Sequence, residues 1–511
     1  MARGHVLILD MSTERCHDLG MYPAGTRRRL MLAGASAIVA AACGRSGADS
    51  AGPTHRWLPP ARLELWLGGT APPIEHVIRT AVLPALRATH PTLRVTVSGT
   101  VPVGQVPAAS RGATGFGLSS PSQSAGLNPS VLGSSGGRLD GTASLSLRGP
   151  TADGDAYNRL IADHAAGILA DVIPAGTGNA STVRHLRAAR EVDSRALLDD
   201  LSQDFVPDAV SHLATDTGPI GVPWLANPRR YVWRTDTLSS AGARVPETWE
   251  DVVQVCVRSL AGRPRSVGRR LLAVNGLHLE FYEALRHRGV SAIEFGKAAF
   301  AGDEGEAVAR FIADRGQTDT IGRYGSGTTW GSDLTGQGIV GAWTTLAGLM
   351  RALTQGSANV PALRVGSPVG AGGRTYSSDA TAKGAIATHS WWFVSAGTAA
   401  PDQAWELVRA LVDPDAMLAA AQAAWQVPTR RSAGRRGFLA EPLVQAFVAP
   451  YLEEGIAAPA LPAQLEMEPL LLNRLNAIAR GEVKPLIALR EASRLWDEAI
   501  SKAGHADVYR R

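Results

Sequence analysis

The stretch from Leu63 to Val97 constrains the fold more than any other part of the chain. Leu63 to Leu67 is a short apolar strand that ends at Gly68-Gly69. Ile74 to Thr89 follows with apolar residues at 74, 77, 78, 82, 85 and 86, the stripe of an amphipathic helix. Pro84 predicts a kink inside that helix and Pro91 closes it. Leu93-Arg94-Val95-Thr96-Val97 then alternates apolar and polar residues, as a half-buried strand does. Strand, helix and strand in this order imply a parallel pair joined by a crossover helix, and hence an α/β sheet.

Upstream, Thr26 to Cys43 sets Arg27-Arg28-Arg29 before an apolar run too short to span a bilayer, and ends in Ala40-Ala41-Ala42-Cys43. That pattern predicts an export signal rather than a transmembrane helix. The arginines resemble a twin-arginine signal, and the end resembles a bacterial lipobox with Ala40 where Leu is usual. The resemblance implies that the Cys43 thiol is lipidated and that everything after it works outside the cytoplasmic membrane, anchored to it. The alternative is a plain cleaved signal with Cys43 incidental. Asp10, Glu14 and Asp18 are unusual in a signal n-region and favour Met21 as the start.

The 511 residues suffice for two or three domains. The formal net charge of +5 is small, and no Lys/Arg run after Cys43 exceeds a pair, which argues against a nucleic-acid partner. Only Cys256 lies in the body of the chain, inside an apolar helical segment, where it reads as a small core hydrophobe. With Cys43 acylated no internal disulfide is available, so the core must carry stability.

Residues 43–60 read as a tether. Residues 100–150 are dense in Gly, Ser, Pro and Ala and read as a flexible insertion. Tyr157 opens a helix that ends near Gly167, and Asp171-Val172-Ile173-Pro174 is a buried strand leading to the loop at 175–179. Further helices are predicted at 404–412 and 491–501.

A run of local patterns resembles one family. Leu63-Glu64-Leu65-Trp66, His90-Pro91-Thr92-Leu93-Arg94-Val95 and Tyr157-Asn158-Arg159-Leu160 through Asp171-Val172-Ile173 come first. Gly221-Val222-Pro223-Trp224, Tyr231 to Asp236 and Pro246-Glu247-Thr248-Trp249 follow. Ala404-Trp405-Glu406-Leu407-Val408 and Val427-Pro428-Thr429-Arg430 complete the series. In this order they resemble the family-1 extracellular solute-binding proteins of ABC importers, related to maltose- and glycerophosphodiester-binding proteins. Two segments depart from the family pattern, Gly338 to Ala342 and the Trp425-Gln426 pair.

The resemblance implies a two-lobed α/β clam-shell, the type II periplasmic-binding-protein fold, with strands crossing at a hinge. Lobe I takes residues 61–226 with the 100–150 insertion, lobe II 227–390, a return to lobe I 391–445, and C-terminal helices 446–511 lie mainly on lobe II. It further implies a monomeric receptor that delivers a carbohydrate-like solute to ABC permease subunits. A polyol phosphate, a glycerophosphodiester, or a sensor or adhesion role on the same fold are the alternatives.

Sugars have apolar C–H faces and a rim of hydroxyls, so their sites want aromatic platforms and planar polar groups. The chain holds 12 Trp against 8 Tyr and 9 Phe. Trp249, Trp405 and Trp496 match core positions, whereas Trp66, Trp224, Trp330, Trp343, Trp391 and Trp425 are the ligand candidates, with Gly69 in the first loop. Trp391 and Trp392 are strand neighbours, so one should face ligand and the other core. Polar candidates are Asn227, Arg229, Arg230, Asp379, His389, Ser390, Glu466 and Glu468. Arg229-Arg230 can grip a phosphate bidentately. Asp171 reads as structural. No His-Glu-x-x-His, no Cys-x-x-Cys and no P-loop lysine is present, and no nucleophile elbow sits between a strand and a helix, so neither an enzyme nor a metal or cofactor is expected.

Overall fold

In the computed structural model, residues 58–68, 70–99, 154–215, 217–240, 242–246, 251, 272–274, 276–294, 296–317, 341–355, 363–366, 385–459 and 464–502 are described. The tether, the 100–150 insertion, Cys43, Trp249, Cys256 and the site candidates Gly69, Trp330 and Asp379 lie outside them, as does the side chain of Glu466.

β1 (Ala61–Trp66) buries Leu63 and Leu65. It is followed by α1 (Pro72–Val77), a π-helical turn (Ile78–Val82) and α2 (Leu83–Thr89). Pro72 and Pro73 occupy the first helical positions, where a missing N–H costs nothing. The irregularity expected at Pro84 appears as the π turn just upstream. The Leu83 N–H reaches back five residues to the Ile78 carbonyl, and a wider turn absorbs the donor that proline lacks. β2 (Leu93–Ser98) pairs with β1 in parallel, Leu63 opposite Val95, as the β–α–β reading requires.

α3 (Gly154–Ala165) leads to β3 (Val172–Gly176), parallel to β1, and then to α4 (Thr177–His185), α5 (Arg195–Gln203) and α6 (Pro207–Ser211). β4 (Val222–Arg234) is buried along all 13 of its residues. α7 (Thr235–Ser240), β5 (Leu272–Val274), α8 (Leu277–His287), the short hairpin β6 (Ile293–Glu294) and β7 (Lys297–Ala298), and α9 (Asp303–Gln317) follow. Next come β8 (Gly341–Thr345), α10 (Leu346–Gln355), β9 (Leu363–Gly366) and β10 (Ile386–Val394). The chain ends through α11 (Pro401–Leu411), α12 (Pro414–Ala424), β11 (Val427–Pro428), α13 (Pro442–Glu454), β12 (Ile456–Ala457), α14 (Gln464–Ala479) and α15 (Pro485–Lys502).

Among the described residues the main sheet runs β2-β1-β3-β10-β4-β8-β5. Its centre is antiparallel and made of the strands that change sides. The first half of β4 pairs with β10 and β11, and its second half pairs with β8 and β9. β10 begins against β12 and β4 and ends against β3. The two segments expected to leave one lobe and enter the other, around Gly221 and Tyr231, are therefore one continuous strand. An edge-free central strand covered by helices on both faces must bury every side chain, which is why β4 and β10 are enclosed throughout.

The apolar side chains gather accordingly. One core surrounds β1 with α1, α11 and α12 and contains Trp224, Trp392 and Trp405. Another lies on the opposite face of β3, around Trp391 and Phe393. A third joins β4 and β8 to α8, α9, α14 and α15, with Phe281, Phe300 and Trp496 in edge-to-face contact. Polar ties lock the first group. Asp171 accepts the Glu64 N–H at 2.8 Å and the Thr398 hydroxyl at 2.6 Å, joining β1 to the turn after β10. Arg430 pairs with Asp200 at 2.5 Å and Asp204 at 3.2 Å and lies over the Phe205 ring. Burial alone would raise the Asp204 carboxyl, but the hydroxyl and backbone N–H of Ser432 and the guanidinium of Arg430 outweigh it and hold the carboxyl below its ordinary range.

Candidate functional site

Ligands of open α/β sheets bind beyond the carboxyl ends of the strands. Here those ends are the Leu67-Gly68 turn after β1, Gly176 at the start of α4, Gly276 before α8, and Thr345 before α10. Gly276 has φ +87, a left-handed conformation that favours glycine, and it places the turn into α8 against the Arg229 guanidinium, 3.6 Å from where a Cβ would stand.

Around that approach the structure assembles a buried charged cluster. Arg229, 4% exposed, lies with its guanidinium carbon 4.9 Å from the Trp343 ring centroid, a cation–π contact. Burial pulls Arg229 down to about 10, against the attraction of Glu283 and Glu468. Arg230 is lowered by burial in the same way, and its Nε and Nη1 are buried without a hydrogen-bond partner. Glu283 on α8 is pushed up to about 8 by burial, which outweighs the opposing pull of Arg230 and of the Ile386 N–H that donates to it at 3.4 Å. His278 Nε2 stands 3.8 Å from Glu468 of α14. Burial first, and Arg229 second, lower His278 to about 3, so it is neutral at physiological pH. The Tyr231 hydroxyl donates to Glu280. The Asn227 side-chain oxygen is buried without a partner.

Of the residues expected at the site, Arg229, Trp343 and Glu468 come together here, and Asn227 and Arg230 lie on the same crossing strand. The Tyr231–Trp343 register of β4 and β8 makes the meeting possible. His278, Glu280, Tyr282 and Glu283 were not anticipated. Their signal is present in His278-Leu279-Glu280-Phe281-Tyr282-Glu283, four titratable residues interleaved with Leu279 and Phe281 in the first half of α8.

The remaining candidates are distributed differently. Trp66 is half-buried at the end of β1, and a Cβ on Gly68 or Gly99 would strike its indole at 2.1 and 2.2 Å, so the ring lies directly on these two glycines. Trp425 caps α12 in the left-handed region, φ 55, half-buried, with Phe438 edge-on at 5.8 Å. His389 shares a 2.8 Å hydrogen bond with the Tyr451 hydroxyl, and its backbone N–H donates to Thr177 Oγ1 at 2.8 Å at the start of α4. Burial lowers His389 to about 3. Trp391 and Trp392 do face opposite ways, yet neither faces solvent, since both have 0% exposure. Trp391 donates to the Ala209 carbonyl at 3.1 Å, and Trp392 packs on Trp224 at 4.7 Å. The expectation that one of the pair sees ligand ignored that helices cover both faces of β10. Trp224, 1% exposed, and Trp343, 0% exposed, are core residues for the same reason.

The family profile of bacterial extracellular solute-binding proteins matches residues 148–445, more than half of the chain. The fold is likewise that of two-lobed sugar-binding proteins. The sugar-binding protein MalE of Xanthomonas citri superposes with a TM-score of 0.64 at 16% identity, covering 86% of this chain and 98% of that one. The cyclic alpha-maltosyl-1,6-maltose binding protein of Arthrobacter globiformis gives 0.63 at 13% identity, over 87% and 100%. The GacH receptor of Streptomyces glaucescens, solved unliganded and with acarbose, gives 0.60 at 14% identity, over 86% and 98%. No curated protein sequence matches significantly. The chain belongs to the bacterial extracellular solute-binding proteins. That is a family of binding proteins working outside the cytoplasm, and no helix among the described residues is long and apolar enough to cross a membrane.

Proposed function

We infer that the protein is a receptor that captures a carbohydrate-like solute between its two lobes and presents it to an ABC permease. The observation that carries this reading is the set of buried polar atoms at the crossing of β4 that lack protein partners, the Asn227 oxygen and Arg230 Nε and Nη1. Unpaired buried polar groups are costly, and an oxygen-rich solute is the kind of molecule that satisfies such donors and acceptors. The acarbose and maltotetraose bound by neighbours of the same fold support a sugar. Lobe closure would be favoured because a solute touches both lobes only in the closed form. The lobe boundaries at 226/227 and 390/391, the lipid anchor at Cys43 and a monomeric state complete the proposal.

Arg229 and Arg230 favour a second reading, a solute with a phosphate group such as a polyol phosphate or a glycerophosphodiester. The experiment is the melting temperature of the mature protein against mono- and disaccharides, polyols and glycerophosphodiesters. A solute at about 100 times its dissociation constant adds roughly 2.7 kcal/mol. A rise with one sugar class supports the first reading, and a rise with phosphodiesters alone supports the second. No rise with any of them favours a sensor or adhesion role, or a solute outside the panel.

A further inference from the structure

A cavity of about 340 Å³ lies between α4 and α6 on one side and α8 on the other, with Ile456 and Ala457 of β12 at its wall. None of the strand-end residues Gly176, Gly276 and Thr345 lines it, nor does Asn227, Arg229 or Arg230. It is thus separate from the charged cluster, although Tyr282 is common to both, with its ring edge-on to His278 at 6.0 Å. We propose that this cavity is a second binding site, for a small anion bearing a carboxylate or phosphate group, gripped by Arg184 of α4 and Arg286 of α8.

Three observations lead there. The first is composition: the charged residues lining the cavity are two arginines and one carboxylate, and Ser291 adds a hydroxyl. Arginine presents a planar fork of donors that suits carboxylate and phosphate oxygens.

The second is Tyr282. Its residue is 3% exposed, it lines the cavity, and its hydroxyl has no hydrogen-bond partner. Buried hydroxyls are ordinarily paired, so an oxygen acceptor in the cavity supplies what the chain does not. Burial raises the Tyr282 phenol well above its ordinary value, with Glu468 adding to the effect, so it remains a donor at any physiological pH.

The third is the looseness of the existing ion pair. Arg286 meets Asp208 Oδ1 at 3.5 Å, through one of its nitrogens, while Asp208 Oδ2 is engaged by the Ala457 N–H at 2.5 Å. Asp208 is therefore held on the crossing strand β12, and Arg286 retains donors that an anion can use. His212, stacked on Trp391 with its ring 12° from parallel, is lowered to about 4 by burial and so offers a neutral ring at this wall. The volume equals roughly ten waters, which fits a small organic acid or a phosphate with part of its hydration shell. An occupant held from both α4 and α8 ties together the two sides of the crossing strands, so its binding is linked to the angle between them.

The test is titration of the full-length protein with inorganic phosphate and with acetate at millimolar concentration, with chloride at matched ionic strength as reference, read as melting temperature. A rise of several degrees over chloride is expected with phosphate, acetate or both, and which of them acts identifies the group. Arg286 is half exposed, so Arg286→Gln should fold normally and weaken the anion by about tenfold or more. Tyr282→Phe removes an unpartnered hydroxyl, so it should leave the anion-free melting temperature unchanged or raise it, and should shrink the anion-induced rise. Equal shifts in chloride, or a rise undiminished in Arg286→Gln, would overturn the proposal.

Discussion

Replacing Glu283 by Gln should stabilise the protein at neutral pH, although Glu283 is buried within reach of the attraction of Arg230 and Arg229. Glu283 is 1% exposed, and its carboxyl is pushed up from 4.5 to about 8 because burial outweighs the attraction of Arg230. Its second oxygen has no partner. A carboxyl with a raised folded value contributes stability below its unfolded value and loses it as the pH climbs to the folded one. The loss is therefore zero at pH 4.5 and grows by about 1.4 kcal/mol per unit. At pH 7 it amounts to roughly 3 kcal/mol, and near pH 8 it levels off at about 5 kcal/mol. Glutamine has the same shape and keeps the acceptor for the Ile386 N–H, but it has nothing to ionise in the unfolded chain. Urea unfolding of both proteins at pH 4.5, 6, 7 and 8 should show a gain for Glu283→Gln that is absent at the lowest pH and rises with pH. If Glu283 and Arg230 instead formed an ionised pair, losing one member would cost about 3–5 kcal/mol. A destabilised variant at pH 7, or a gain that does not vary with pH, would refute the reasoning.

The other predictions concern acid and the tryptophans. His278 and His389 are both lowered to about 3 and His212 to about 4, so each is neutral in the fold and charges on unfolding. Their contribution is whole above pH 6.5 and is lost as the pH falls, by about 1.4 kcal/mol per unit for each. In the Glu283→Gln background, unfolding free energy between pH 6 and 5 should fall with a slope of more than one proton; a flat profile would count against neutral burial. Trp224→Ala should cost about 3–5 kcal/mol of stability, since Trp224 is a core residue packed on Trp392. Trp425→Ala, at a half-buried helix end, should leave the melting temperature within a few degrees and weaken solute binding. Unchanged affinity in folded Trp425→Ala would remove Trp425 from the site.

Much of the architecture is legible in the sequence, and the reason is local. β1, α1–α2 and β2 each carry their own periodicity, and a parallel pair with a crossover helix has few alternatives. The motif around Val427 to Ala433 also has a local physical meaning, because Arg430 reaches the Asp200 and Asp204 carboxylates and fixes the return of the chain. The partners of Arg229 are another matter. It meets Trp343, 114 positions away, only because β4 and β8 pair in a particular register, and it feels Glu468 only because α14 packs on α8. Register and helix docking are set by the whole core, and no window of sequence contains them.

The tryptophans make the same point from the opposite direction. Period-two alternation correctly sends Trp391 and Trp392 to opposite faces of β10, but it says nothing about what covers each face. In an antiparallel sheet with one wet face, one of them would be exposed; here the crossing strands sit inside a sheet clad on both faces, and both indoles become core. A strand so enclosed has no cheap place for charge, yet β4 carries Arg229, Arg230 and Arg234, each less than a tenth exposed. Large apolar rings can be retained for stability alone, whereas a buried guanidinium with unpaired nitrogens, as on Arg230, weakens a core unless something else uses them. Arg230 and Asn227 of β4 therefore carry the functional reading more firmly than the tryptophans do.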